Sequence, residues 1–67
     1  MCEWRVVVIK GGKEEAVMEE ASLIKDNGST VTVEGTFKER IEVKGRIVEV
    51  DADRHLIIIS SDERTQA

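Results

Sequence analysis

The only cysteine of this 67-residue chain is its second residue, in the opening Met1-Cys2-Glu3-Trp4. Aminopeptidases remove an initiator methionine when a small residue follows, and the chain then begins with a free amine and a thiolate on adjacent carbons. Together they close a five-membered chelate on a thiophilic divalent ion. Mixed nitrogen and sulfur donors suit nickel, copper or zinc, and a planar set points to Ni(II) or Cu(II). One thiol cannot complete a structural zinc site, which takes four protein ligands. The competing role for a lone cysteine is that of a small buried apolar residue. Its place beside the terminus, where domains fray, weighs against that role.

One amine and one thiolate leave a metal under-coordinated. Two chains related by a two-fold axis supply two of each, and isologous dimers are the commonest oligomers. The simplest stoichiometry is therefore one ion per two chains. A deprotonated Glu3 amide is the alternative donor. If Met1 is retained, the thiolate must pair with backbone nitrogen instead. The ligands must lose protons, so affinity falls at low pH.

Other chemistry finds less support. Glu14-Glu15 and Glu19-Glu20 read as solvated charge, because no pattern singles out an acid/base pair. Cys2 and His55 could form a nucleophilic pair, but no elbow or orienting third group accompanies them. Gly11-Gly12 lacks the spacing and the Lys-Ser/Thr of a phosphate loop. Asp51 and Asp53 could ligate a hard cation, yet in a polar turn they more simply bond their own backbone. His55, beside that turn, reads as a surface or strand-edge histidine, with a metal role as the rival. No enzyme is expected.

Composition narrows the partners. A chain this short buries only about 60 per cent of its unfolded surface, so a metal or a dimer would help it. Fourteen acidic and ten basic residues give a net charge of −4, which opposes non-specific nucleic-acid binding. With one Trp, one Phe and no Tyr, the stacking platform of a single-strand binder is missing. A local patch of Lys10, Lys13, Lys38, Arg40, Lys44 and Arg46 is what could still make it an RNA-binding module. A plain protein-interaction module, with Cys2 incidental, is the third reading. The apolar run Val6-Val7-Val8-Ile9 is too short for a signal peptide or a membrane span, and the expected location is cytoplasmic.

These residues need elements to position them. Residues 4–10 are β-branched and read as a strand, with Trp4, Val6 and Val8 on the face of a core or dimer contact and Val7 and Ile9 opposite. Gly11-Gly12 and Asn27-Gly28 are hairpin signals. Residues 14–26 are balanced: Val17, Ala21 and Ile24 make a helical stripe, but no N-cap residue precedes them. Residues 30–34, 40–44, 46–50 and 55–59 alternate or are apolar, with Gly45 marking a bulge or sharp bend. Close-spaced short strands predict an all-β small barrel, as one domain over residues 1–60 with a disordered polar tail over 61–67.

The order of these pieces resembles the CooT family of small nickel-binding proteins, named for an accessory protein of carbon monoxide dehydrogenase maturation. The resemblance covers roughly residues 1–60. It runs through Met1-Cys2 and the Val-rich strand, Ala16-Val17-Met18-Glu19-Glu20, Val31-Thr32-Val33-Glu34-Gly35-Thr36-Phe37-Lys38-Glu39, Glu42-Val43-Lys44-Gly45-Arg46-Ile47-Val48-Glu49-Val50-Asp51, and His55-Leu56-Ile57-Ile58. Archaeal relatives carry an older label as RNA-binding proteins. The resemblance implies an SH3-like barrel of about five to six short antiparallel strands that forms a homodimer. It implies Ni(II) held near the two N-termini through Cys2, for delivery to or storage for a nickel enzyme such as carbon monoxide dehydrogenase. Cu(II) and Zn(II) are the other ions such donors would take. It also makes residues 14–26 a strand. Lys38 departs from it, standing where a small residue, often Gly, is expected in the turn after Phe37.

Overall fold

The computed structural model describes residues 3–61. Five strands lie in chain order around one closed barrel: β1 (Trp4–Lys10), β2 (Lys13–Asp26), β3 (Thr30–Gly35), β4 (Arg40–Asp51) and β5 (Leu56–Ser61). Sequential neighbours pair antiparallel, and β1 closes the barrel against β5 in parallel, with Arg5 opposite Leu56 and Ile9 opposite Ser60. The all-β small barrel is as expected. The parallel closure is not, and neither is the uniform shortness: β2 has 14 residues and β4 has 12. No described helix is long and apolar enough to cross a membrane.

Length lets β2 and β4 serve two neighbours each. β2 pairs with β1 up to Ala21 and with β3 from Ala21 onward. β4 pairs with β3 up to Lys44 and with β5 from Gly45 onward. A Cβ at Gly45 would collide with the Ser60 carbonyl oxygen, so this hand-over needs a glycine. Of the bulge or sharp bend expected at Gly45, the bulge lies instead near Val48, between the pairs of Ile47 and Glu49.

The hairpin signals form hairpins. Gly11 and Gly12 both have positive φ, as a type I′ turn between Lys10 and Lys13 demands. At the second, the Gly28 N–H donates to Asp26 Oδ1 at 2.9 Å and the Asn27 N–H to the Thr30 carbonyl at 2.9 Å.

β2 settles the balanced segment. Its pairing slips three times, on either side of the Val6–Met18 pair and between Ala21 and Leu23. Each slip inserts a residue and shifts the inward phase of the strand. Met18 and Ala21 therefore both face the core three residues apart, and Ile24 packs against it three residues later. A bulged strand has copied the spacing of a helix.

The core holds Val6, Val8, Met18, Ala21, Val31, Val33, Ile57 and Ile59, with Trp4, Val17, Ile24, Ile41, Val43 and Ile47 packed around it. Of the residues expected at a core or dimer contact, Val6 and Val8 are thus buried in the core of the chain itself, and Trp4 is half-buried. Ser61, expected at the start of the tail, continues β5 after Ser60 and pairs with Gly45. The rest of that tail, residues 62–67, lies outside the described residues.

Candidate metal centre at the start of the first strand

Cys2, the residue on which the metal chemistry rests, lies outside the described residues, as does Met1. What the structure describes is the frame from which the chain leads to it. β1 begins beside the connection between β4 and β5. The Arg5 N–H donates to the His55 carbonyl at 2.8 Å, just before the parallel pairing starts at Leu56.

His55 itself is not in the strand. It has φ 52°, a left-handed conformation that His tolerates better than most residues. This places its ring on Trp4 edge-to-face, with centroids 5.1 Å apart. Its side chain is exposed, in agreement with a strand-edge histidine. The preceding turn is organised by Asp51, whose Oδ1 accepts the Asp53 N–H at 3.1 Å and the Arg54 N–H at 3.3 Å. Asp51 is therefore the backbone-bonding turn residue anticipated above, and Asp53 is exposed.

A cleft of about 400 Å³ opens here, lined by Glu3, Arg5, Glu19, Arg54, His55 and Leu56. Its charges are mixed. Arg5 faces Glu19 at 3.8 Å, and Arg54 faces Asp51 at 3.8 Å. Glu3, bonded directly to Cys2, lines this cleft, and so does His55. Among the described residues no group of three or more His, Cys, Asp or Glu is placed to hold a metal ion. His55 is the one imidazole of the chain, and its position against Trp4, not legible in the sequence, depends on the left-handed turn.

Part of the cationic patch considered for RNA gathers at one end of the barrel, where Lys10 lies opposite Lys13 across the β1–β2 turn. Lys10 and Lys44 line an open cleft of about 360 Å³ together with Glu15 and Glu42. Arg40 pairs with Glu42 at 3.4 Å, and Lys38 sits apart in the turn after β3.

The family model described as CO dehydrogenase accessory protein CooT matches residues 1–60. The crystal structure of a candidate CooT from Carboxydothermus hydrogenoformans superposes with a TM-score of 0.79 at 22% identity, covering 92% of this chain and all of that one. At that identity the likeness speaks for the fold. No functionally curated protein matches the chain. The family match runs from the cysteine-bearing terminus into β5, and the chain belongs to the CooT family of CO dehydrogenase accessory proteins.

Proposed function

We propose that this protein binds Ni(II) through Cys2 and acts as a metallochaperone or nickel store for a nickel enzyme such as carbon monoxide dehydrogenase. The observation that carries the reading is membership of an accessory-protein family over residues 1–60, with the only thiol at the second position. The donor chemistry agrees: an amine and a thiolate on adjacent carbons form a set that divalent nickel accepts. The described residues offer no three-donor cluster, and the donors of this reading are those of the N-terminus. A solvent-facing site of this kind captures an ion and yields it by ligand exchange.

A homodimer completes the coordination set. The outward side of β1 supports one. Val7 and Ile9 alternate with the buried Val6 and Val8, and Val7 lies opposite Ile58, which alternates with the buried Ile57 and Ile59. These half-buried apolar residues form an outer stripe on the strand that leads to Cys2. Two copies packed by that stripe would bring two N-termini to one interface.

The test is a Ni(II) titration of untagged protein with its native terminus, beside Cys2→Ala. Thiolate-to-nickel charge-transfer absorbance should grow, saturate near one ion per two chains, weaken as pH falls, and vanish in the variant. Absence of saturable bands at neutral pH would sink the proposal.

A further inference from the structure

The connection between β3 and β4 is more ordered than its exposure suggests. The Gly35 N–H donates to the Glu39 carbonyl at 2.8 Å, and the Lys38 N–H to the Gly35 carbonyl at 3.0 Å. The Phe37 N–H donates to Glu39 Oε1 at 3.2 Å. Thr36 ties the turn to β2: its N–H and its hydroxyl both donate to the Glu20 carbonyl, at 3.0 and 3.2 Å. A Cβ at Gly35 would collide with the Glu39 carboxylate and come within 3.0 Å of Met18 Sδ, so the turn is seated tightly.

This fixed turn holds Phe37 outward, 72% exposed. A single exposed apolar residue is ordinary. Here, however, Phe37 forms one wall of an open groove of about 530 Å³, with Ala16, Val17 and Met18 of β2 and Ile41 of β4 contributing apolar lining. The remaining lining residues are Glu19, Glu20 and Glu39, and among the described residues no cation lines the groove. Arg5 offsets part of the Glu19 charge at 3.8 Å, whereas Glu20 makes no ion pair among the described residues. An apolar floor with a carboxylate rim is complementary to a segment that carries cations around an apolar side chain. The pre-formed turn removes much of the ordering cost of such a contact.

We propose that the groove between β2 and the Gly35–Glu39 turn docks a basic segment of a partner protein. One bulky apolar side chain of that segment seats against Phe37, Val17 and Ile41, and its cations face the three carboxylates. The contact does not depend on nickel.

The probe is the peptide acetyl-Lys-Leu-Lys-Leu-Lys-amide, titrated into the isotope-labelled full chain and followed by amide chemical shifts. Shifts should saturate and concentrate on residues 16–20 and 35–41, and binding should weaken with added salt. Phe37→Ala should raise the Kd about tenfold or more, as loss of a central aromatic anchor does. Glu20→Lys should also weaken binding while leaving the unfolding midpoint unchanged. Three results would overturn the proposal: dispersed or non-saturating shifts, equal binding of the same peptide with glutamates for lysines, or a Kd indifferent to Phe37→Ala. Sedimentation of the free protein covers the remaining occupant. If Phe37→Ala changes the oligomeric state, the groove belongs to a second copy and the partner assignment is wrong.

Discussion

Trp4 and Phe37 are the chain's one Trp and one Phe, and each sits beside a connection containing a left-handed residue that is not glycine. Near the first aromatic, His55 at φ 52° turns its carbonyl to the Arg5 N–H and its ring onto Trp4. Near the second, Lys38 at φ 70° closes a turn onto Gly35 and leaves Phe37 in solvent. One backbone device thus performs two tasks. At the β4–β5 connection it brings an aromatic pair together beside the start of β1 and fastens the parallel closure of β1 on β5. At the β3–β4 connection it holds an aromatic away from the core, at the wall of a carboxylate-rimmed groove. A strained residue seals the fold where its side chain finds a partner. Where it finds none, the turn presents its neighbour.

The sharpest way to break this comparison is to truncate each aromatic. Trp4→Ala removes side-chain contacts with both the core and the His55 ring. It should lower unfolding free energy by about 2–3 kcal/mol, below the cost of a fully buried Trp because the site is half-exposed. Phe37→Ala should stay within about 0.5 kcal/mol of the parent, as surface substitutions do. Urea unfolding of both variants measures the difference. Equal losses would mean that Phe37 packs into the fold after all, and the docking proposal would lose its basis.

The two regions also differ in what their residues announce. Strands over 4–10 and 30–34 were legible because alternation and β-branching are local, and both glycine-bearing hairpins were legible because positive φ at fixed positions demands those residues. The course of residues 14–26 was not. Val17, Ala21 and Ile24 are spaced as on a helix because three register slips re-phase β2, and slips are set by partners on β1 and β3 rather than by β2 itself. The parallel pairing of β1 with β5 joins opposite ends of the chain and leaves no local mark. For the candidate site, the proposed role of Cys2 rests on residue type and position alone, and Cys2 lies outside the described residues. The Trp4–His55 contact was not legible, since nothing in Asp53-Arg54-His55 signals a left-handed histidine. Lys38 stood out only because a small residue was expected there.

A smaller effect belongs to the turn that carries His55. Asp51→Ala removes the acceptor of two N–H groups, at 3.1 and 3.3 Å, and the 3.8 Å contact with Arg54. The two donors are exposed and can turn to water, so the loss should be about 1 kcal/mol. An exposed ion pair contributes little of that, and the loss should be nearly the same in low and high salt. A loss that shrinks strongly with salt would show that Arg54, rather than the backbone N–H groups, is what Asp51 holds.

The finest test replaces each left-handed residue with glycine. A left-handed conformation costs an L-residue about 1–2 kcal/mol. Glycine removes that cost but makes the unfolded chain more flexible, which takes back about 0.4–1 kcal/mol. Lys38 is exposed and its side chain makes no bond that the turn requires, since the Gly35 contact uses its backbone N–H. Lys38→Gly should therefore stabilise by about 0.5 kcal/mol. His55→Gly gains the same relief and loses the ring contact with Trp4, worth about 0.5–1.5 kcal/mol. It should come out neutral or destabilising. The signal is the difference between the two variants, read from paired urea midpoints. If both stabilise equally, the Trp4–His55 contact adds nothing to the fold and the two turns are energetically alike. If only Lys38→Gly stabilises, the left-handed histidine is retained for its ring, and the contact with Trp4 is what offsets its strain.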